Sequence, residues 1–191
     1  MRGSGEAAAA MDALLAAREL LLGATPLKGD CGRFCGAACC RPDAAGEGRA
    51  GGMYLFPGEE NVYGPADAWL RIEPSGWIAD GRDVPLLICQ GACPRGERPL
   101  ACRLFPLIAR SRVQSNARSG RRGSADALEG FDLQFDPRGW PVCPLMPHGL
   151  RAMDPAFVAS ARAALATLWA CPAHRGFLSA LDALLGQYES F

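Results

Sequence analysis

Residues that carry common side-chain chemistry are scarce in this 191-residue chain. It contains two histidines, and all of its 20 basic residues except Lys28 are arginine. Two histidines leave little material for imidazole acid–base chemistry or for a histidine-rich metal site. Twenty acidic residues balance the basic ones. The lack of net charge argues against a general nucleic-acid binder, which needs a basic surface for phosphate.

Long apolar runs are also missing. No stretch of 18 apolar residues occurs, so we expect no membrane span. The apolar segment 11–22 is interrupted by Asp12, Arg18 and Glu19, which is typical of an amphipathic helix and not of a signal peptide. We therefore predict a cytoplasmic protein. In that reducing compartment, clustered thiols more often bind metals or act in redox chemistry than form disulfides.

The length suits one domain preceded by a short tail. Residues 1–10 are of low complexity and are predicted to be a flexible N-terminal tail. Residues 11–191 are predicted to form a single cysteine-rich domain. It divides into a metal module over residues 30–144 and C-terminal helices over residues 154–189.

Secondary structure is predicted from periodicity and from breaker residues. A helix over residues 11–23 carries Leu14, Leu15, Arg18, Leu21 and Leu22 on one mostly apolar face. Short apolar runs predict strands, with a hairpin turn at 74–76 and a further turn at 80–83. Pro85 predicts an edge strand or a position at the start of its strand. The predicted strands cover residues 53–56, 69–72, 77–79, 84–89, 104–108 and 131–135.

The chain after residue 143 is predicted to be helical. Asp154 is a good helix N-cap, and Pro155 suits the first helical position. Helices are expected over residues 157–170 and 176–188. The basic segment 110–123, which has five arginines and no acid, is predicted to be a surface loop. These elements indicate an α+β fold, in which small irregular antiparallel strands and cysteine-rich loops pack with an N-terminal and two C-terminal helices.

Nine cysteines are the unusual feature of the composition. No two are separated by two residues, which excludes the thioredoxin motif and the paired CxxC knuckles of zinc ribbons. Four cysteines fall between residues 31 and 40, where the glycines favour a loop at least as much as a helix. A lone cysteine is usually a small buried hydrophobe, and we predict this role for Cys171. The other eight are candidate metal ligands: Cys31, Cys35, Cys39, Cys40, Cys89, Cys93, Cys102 and Cys143.

Eight thiolates suit two four-sulfur sites, or one such site with spare thiols. A four-thiolate set suits zinc or an iron–sulfur cluster equally by ligand type. The expected cofactor is therefore an iron–sulfur cluster, [4Fe–4S] first, or zinc. Arginines close to the cysteines would lower thiol pKa values and offset thiolate charge. They are Arg33, Arg41, Arg95, Arg98 and Arg103.

Two cysteine motifs resemble a known family. The first run ends in the vicinal pair Cys39–Cys40, and the second segment, residues 98–106, reads RPLACRLFP. Over residues 30–144 the chain resembles the YkgJ-type family of CxxCxxCC zinc- or iron-chelating proteins, with gaps of three residues in place of two. The resemblance implies first-rank metal ligands at Cys35, Cys39, Cys40, Cys93 and Cys102, followed by Cys31, Cys89 and Cys143.

The leading function predicted is metal binding through thiolates, and two alternatives stay open. The cysteine module is also similar to part of flagellin lysine N-methylases, which implies a cluster-dependent methyltransferase or redox enzyme. The third reading is a structural zinc module for protein contacts. No nucleotide-binding or hydrolase motif occurs, His148 and His174 lack obvious partners, and nothing pairs Glu59, Glu60 or Asp67 for acid–base work. Catalytic residues and a protein partner are not identified.

Overall fold

Helices and small antiparallel sheets alternate along the described chain, which confirms the predicted α+β fold. The computed structural model describes residues 3–41, 52–89, 93–112 and 130–189. Within these ranges the helices are α1 (Gly3–Leu20), α2 (Gly32–Cys35), α3 (Leu100–Leu104), α4 (Pro155–Ala170) and α5 (Pro172–Leu185). The strands are β1 (Gly52–Tyr54), β2 (Leu70–Ala79), β3 (Arg82–Cys89), β4 (Leu107–Ser111) and β5 (Phe131–Phe135).

The larger sheet has the order β1-β3-β2, so β3 is its central strand. Pro85 was predicted to lie at a sheet edge or at a strand start, and both alternatives were wrong, because it is the fourth residue of this central strand. Pro85 pairs with Pro74 of β2, and because neither residue has an N–H, the two gaps in the hydrogen-bond ladder coincide. On its other side the Pro85 carbonyl accepts a hydrogen bond from the Leu55 N–H at 2.9 Å.

The hairpin turn predicted at 74–76 is absent, whereas the turn predicted at 80–83 is the one that joins β2 to β3. Ser75 and Gly76 lie inside β2 at a bulge, where their N–H groups donate to the Asp83 carboxylate at 2.9 Å each. The chain turns instead at Asp80 and Gly81, whose φ angles of 50° and 74° are those of a type I′ turn. The carboxylate therefore stabilises the bulge, and the local Pro-Ser-Gly sequence does not decide where the strand ends.

Helix α1 begins at Gly3, so residues 3–10 are helical and do not form the predicted tail. Ala10 is already buried, and its carbonyl accepts a hydrogen bond from His174 Nε2 of α5 at 2.8 Å. Leu14 and Ala17 lie on the core face, which packs against α4. The core extends from these helices onto both sheets.

His174 makes stability sensitive to acid. Burial lowers the pKa of this imidazole, and its Nδ1 has no hydrogen-bond partner among the described residues. Below the ordinary pKa of about 6.5 the unfolded chain binds a proton that the folded chain resists, so stability falls as pH decreases. We expect the unfolding free energy to fall between pH 7.5 and 5, and to fall less steeply in His174→Gln. The exposed His148→Gln is the control; equal slopes in both variants would contradict the assignment.

The second sheet corrects two predicted segments. The predicted strand 104–108 is divided, because Leu104 ends α3 and Leu107 begins β4. Arg110 was assigned to a surface loop, but it lies in β4 and is buried against Asp182 of α5. Residues 113–123 of that predicted loop lie outside the described residues. The prediction of β5 was confirmed over all of its residues.

The two C-terminal helices follow the prediction closely. Asp154 Oδ1 accepts the Ala156 N–H at 2.9 Å, and Pro155 occupies the first turn of α4. Helix α5 begins at Pro172, four residues earlier than expected. In the described part no single helix is long and apolar enough to cross a membrane. Helix α4 and residues 172–188 satisfy that test only jointly, with a 112° bend between them.

The N-cap of α4 provides a small, local stability test. Asp154→Ala removes the acceptor for the Ala156 N–H, and we expect it to lower the free energy of unfolding by about 1 kcal/mol in urea denaturation. Asp154→Ser retains a capping oxygen and should lose much less. Equal losses in the two variants would mean that the cap contributes nothing.

Candidate metal centre

Eight of the nine cysteines line one cavity of about 140 Å³. These are the eight that the sequence analysis singled out as candidate ligands. The ninth, Cys171, lies elsewhere, at the junction of α4 and α5. It is half-buried and not fully enclosed in the core as predicted. The cavity cysteines are Cys31, Cys35, Cys39, Cys40, Cys89, Cys93, Cys102 and Cys143.

The first cysteine run forms two short turns separated by a reversal. Helix α2 occupies a single turn, in which Cys35 Sγ lies 3.8 Å from the Cys31 carbonyl. Gly36 and Ala37, with φ angles of 60° and 54°, then end the helix. A 3₁₀ turn over Ala38–Cys40 follows. The run is therefore neither the regular helix nor the open loop considered from the sequence.

Glycine suits position 36 because its φ angle lies in the left-handed region that disfavours side chains. The reversal places Cys39 and Cys40 on a turn of their own, with their sulfurs 3.9 Å apart.

The second cysteine group is carried by the end of a strand and by a short helix. Cys89 is the last residue of β3, and Cys93 precedes the 3₁₀ turn Arg95–Glu97. Cys102 lies in the middle of α3, which begins after Pro99. The RPxxCRxFP segment thus contains a short helix bounded by prolines, and of its residues only 104–106 had been predicted as strand. Cys143 lies further along the chain, in the segment that follows the 3₁₀ turn Pro137–Gly139.

The thiols influence each other's protonation. Burial raises the pKa of the Cys102 thiol, and the sulfurs of Cys40 and Cys93 raise it further. The Cys39 and Cys40 sulfurs lie 3.9 Å apart and share one hydrogen bond, in which either thiol can be the donor. The sulfur that accepts this hydrogen bond has its thiolate form, the form that binds metals, stabilised by its neighbour.

Arginines supply the charge around the cavity. Four of them line it, and no aspartate or glutamate does so among the described residues. Arg95 pairs with Asp30 at 2.7 Å, and Arg103 donates to the carbonyls of Arg98 and Arg18 at 2.9 and 3.0 Å. The four are Arg41, Arg95, Arg98 and Arg103; Arg33, also predicted to act here, is exposed outside the lining.

A buried carboxylate that the sequence analysis missed supports the floor of the cavity. Glu59 Oε1 accepts from Arg18 Nη1 at 2.6 Å and from the Leu100 N–H at 2.7 Å. Its Oε2 accepts from the Phe56 N–H at 3.1 Å. Leu100 starts α3, so Glu59 joins α1 to the helix that carries Cys102. The sequence signal was Arg18 on the apolar face of α1, which requires a buried partner.

The donor atoms fit a thiophilic metal, but their positions do not form a closed site. No three of the cysteine, histidine, aspartate and glutamate side chains in the described ranges are arranged to hold a metal ion. The sulfurs have to move together for coordination. Neither histidine contributes, because His174 is buried beside α1 and His148 is exposed outside the cavity lining. Any metal here is held mainly by sulfur.

Comparisons of the chain with protein-family models, with curated proteins and with solved structures gave no match.

Proposed function

We propose that this protein binds an iron–sulfur cluster or a metal ion through cysteine thiolates of the cavity. One observation carries the proposal. Eight cysteines, spread from residue 31 to residue 143, come to one cavity from separate turns, a strand end and a helix. A role as core-filling hydrophobic residues does not explain why these cysteines lie together, because seven of the eight are only half-buried and Cys39 is exposed. The sequence resemblance to YkgJ-type chelating proteins supports the same function.

A reducing compartment such as the cytoplasm is part of the proposal. All nine cysteines are thiols in the structure, and no disulfide links them. Burial raises the pKa of Cys31, Cys93, Cys102 and Cys143, so these thiols hold their protons near neutral pH. A metal would displace those protons on binding, which makes its affinity dependent on pH.

The size of the cavity favours a cluster. A water molecule needs roughly 10–15 Å³ of such space, so a cavity of about 140 Å³ exceeds what one bare ion fills. A [4Fe–4S] cluster with four of the thiolates as ligands suits this space. When bound, such a cluster supplies one-electron redox chemistry.

Zinc is the second candidate, on a separate observation. The 3.9 Å between the Cys39 and Cys40 sulfurs is close to the edge of a tetrahedral zinc–thiolate site, which is about 3.8 Å for bonds of 2.3 Å. Zinc would act as a structural cross-link between the turns. In that case a chelator should unfold the protein, because metal binding would be folding energy.

Anaerobic purification followed by metal analysis and an absorption spectrum tests the proposal. A broad visible band with iron and sulfide in stoichiometric amounts supports a cluster. A colourless protein with stoichiometric zinc supports the zinc version. A colourless protein that contains neither iron nor zinc, and takes up neither on anaerobic reconstitution, would reject metal binding altogether.

The enzyme alternative stays a prediction from the resemblance to flagellin lysine N-methylases. We propose calorimetry with S-adenosylmethionine and the metal-loaded protein as its test. Absence of binding would remove the methyltransferase version and would leave metal binding unaffected.

A further inference from the structure

Arg103, directly after Cys102, donates all of its side-chain hydrogen bonds to backbone. The residue is only 9% exposed. Residues 94–101, the linking segment, join Cys93 to Cys102 in the chain. Each of the three guanidinium nitrogens of Arg103 donates to a carbonyl oxygen, two of them in the linking segment and one in α1. The acceptors are the carbonyls of Arg98 at 2.9 Å, Arg18 at 3.0 Å and Gly96.

Two other side chains attach the linking segment to the fold. The Tyr63 hydroxyl donates to the Glu97 carbonyl at 3.1 Å. The Leu100 N–H donates to the buried Glu59 carboxylate at 2.7 Å. Together with Arg103, these side chains hold four residues of the segment, at positions 96, 97, 98 and 100, by contacts that come from outside it. The stretch of chain between two of the cavity cysteines is therefore fixed in the structure.

The first cysteine run has no comparable attachment. In the described part of the chain, every hydrogen bond made by residues 31–41 stays within residues 30–41. Neither α2 nor the 3₁₀ turn Ala38–Cys40 contains a buried residue. Asp30, just before the run, pairs with Arg95 at 2.7 Å, but these side chains are 41% and 42% exposed. An exposed pair of this kind contributes little, so the run is held less firmly than the linking segment.

This difference decides which part of the cavity moves when a metal binds. The sulfurs in the described ranges are not arranged to hold a metal ion, so coordination requires movement. Movement of the linking segment would break the buried hydrogen bonds of Arg103, whereas movement of residues 31–41 leaves their own hydrogen bonds intact. A ligand-bearing segment that is already ordered also loses less conformational entropy when a metal binds.

We infer that Arg103 is a positioning residue of the proposed metal centre. It holds the linking segment, and with it the spacing of Cys93 and Cys102, in place before the metal arrives. Residues 31–41 then close onto this fixed part, and both parts supply ligands. Arg103 was predicted from the sequence to offset thiolate charge, but its three nitrogens donate to carbonyl oxygens. The inference rests on the proposed function.

Amide hydrogen exchange of metal-free and zinc-loaded protein tests the order of events. In metal-free protein we expect the linking-segment reporters to exchange at least about tenfold more slowly than those of the first run. Zinc should slow the first-run reporters at least about tenfold and change the others less than about threefold. Equal rates in metal-free protein, or an equal response to zinc, would overturn the inference. The reporters are the hydrogen-bonded amides of Glu97, Leu100 and Arg103 for the linking segment, and those of Phe34, Ala37 and Cys40 for the first run.

Arg103→Lys and Arg103→Gln separate positioning from charge. Lysine keeps the charge and glutamine removes it, but neither supplies the planar set of donors that reaches three carbonyls. We expect both variants to weaken zinc affinity about 10–100-fold, measured by anaerobic competition with a chromophoric chelator, and to speed exchange at Glu97 and Leu100. Arg33→Lys and Arg33→Gln, at an exposed arginine outside the cavity lining, are the matched controls and should bind as the wild type does. Wild-type affinity in Arg103→Lys would overturn the positioning role.

Tyr63→Phe loosens the same segment without changing a buried arginine. It removes the donor to the Glu97 carbonyl and keeps the ring that packs against Trp69. We expect zinc affinity to weaken about two- to tenfold, together with faster exchange at Glu97. Tyr54→Phe, on β1 and outside the cavity lining, is its control. Circular dichroism checks folding; where the Arg103 variants do not fold, unchanged affinity and exchange in Tyr63→Phe overturn the inference.

Failure of this inference differs from failure of the proposed function. A wild type that takes up neither zinc nor iron rejects the proposed function. A loaded wild type whose Arg103 variants behave like the Arg33 variants rejects only the positioning role. For a wild type that takes up a cluster and not zinc, the cluster-loaded protein replaces the zinc-loaded one in the exchange experiment. Iron bound per folded chain after anaerobic reconstitution then replaces zinc affinity in each comparison.

Discussion

Glu59→Gln is expected to lower the free energy of unfolding by about 3–5 kcal/mol, because it leaves the buried Arg18 without its counter-charge. The amide also replaces one acceptor oxygen by a donor in a position that faces three donors, those of Arg18, Leu100 and Phe56. Since Leu100 begins the helix that bears Cys102, the variant should also load metal poorly. Urea denaturation gives the stability change, and metal analysis gives the loading.

The control for this variant is its sequence neighbour. Glu60 lies on the same 3₁₀ turn, is half-buried and takes no part in the Arg18 network. Glu60→Gln should change stability by less than about 1 kcal/mol. If the two glutamine variants unfold at the same urea concentration, Glu59 is not the anchor that its contacts indicate.

Asp182→Asn is expected to have a comparable effect on stability, about 3–5 kcal/mol, but none on metal loading. Asp182 of α5 forms a buried ion pair with Arg110 and accepts the Ser111 N–H at 2.8 Å. The ion pair links α5 to β4, and neither Asp182 nor Arg110 lines the cysteine cavity. The loss should appear in urea denaturation of the metal-free and the metal-loaded protein alike.

A partly exposed pair on the same sheet is the control for Asp182. Arg112 and Asp132 are 2.7 Å apart, and both side chains reach solvent. Asp132→Asn should therefore change stability by less than about 1 kcal/mol. Equal losses in Asp182→Asn and Asp132→Asn would contradict the importance of burial. Poor metal loading in Asp182→Asn would mean that Glu59 acts on the cavity through global stability alone.

Local signals in the sequence were read correctly, whereas features decided by distant partners were not. The Asp154 cap and strand β5 depend on neighbouring residues, and both were confirmed. The hairpin at 74–76 was wrong because Asp83, on the next strand, holds that segment in a bulge. The prediction that Pro85 lies at an edge or a strand start was wrong, because Pro85 pairs with Pro74 and its missing N–H therefore leaves no additional gap in the sheet.

The candidate site shows the same division. Composition and spacing selected the eight cysteines that line the cavity, because clustered thiols are unusual enough to stand out without structural information. Spacing did not indicate that the first cysteine run forms two separate turns, since this depends on the backbone reversal at Gly36 and Ala37. The sequence could not identify Glu59 as the partner of Arg18, because 41 positions separate the two residues. That pairing follows only from the packing of α1 over α3.

The packing of α1 against α4 has a consequence for how the chain is made. Helix α1 ends at Leu20 and α4 starts at Pro155, 135 positions later. At a synthesis rate of 5–20 residues per second, that interval takes roughly 7 to 27 seconds on the ribosome. During it, the apolar face of α1 has no α4 to cover it, and the thiols of residues 31–40 emerge long before Cys143. The nascent chain therefore passes through a period in which its sulfurs are open to cellular metal donors and to oxidants, before the late helices complete the domain.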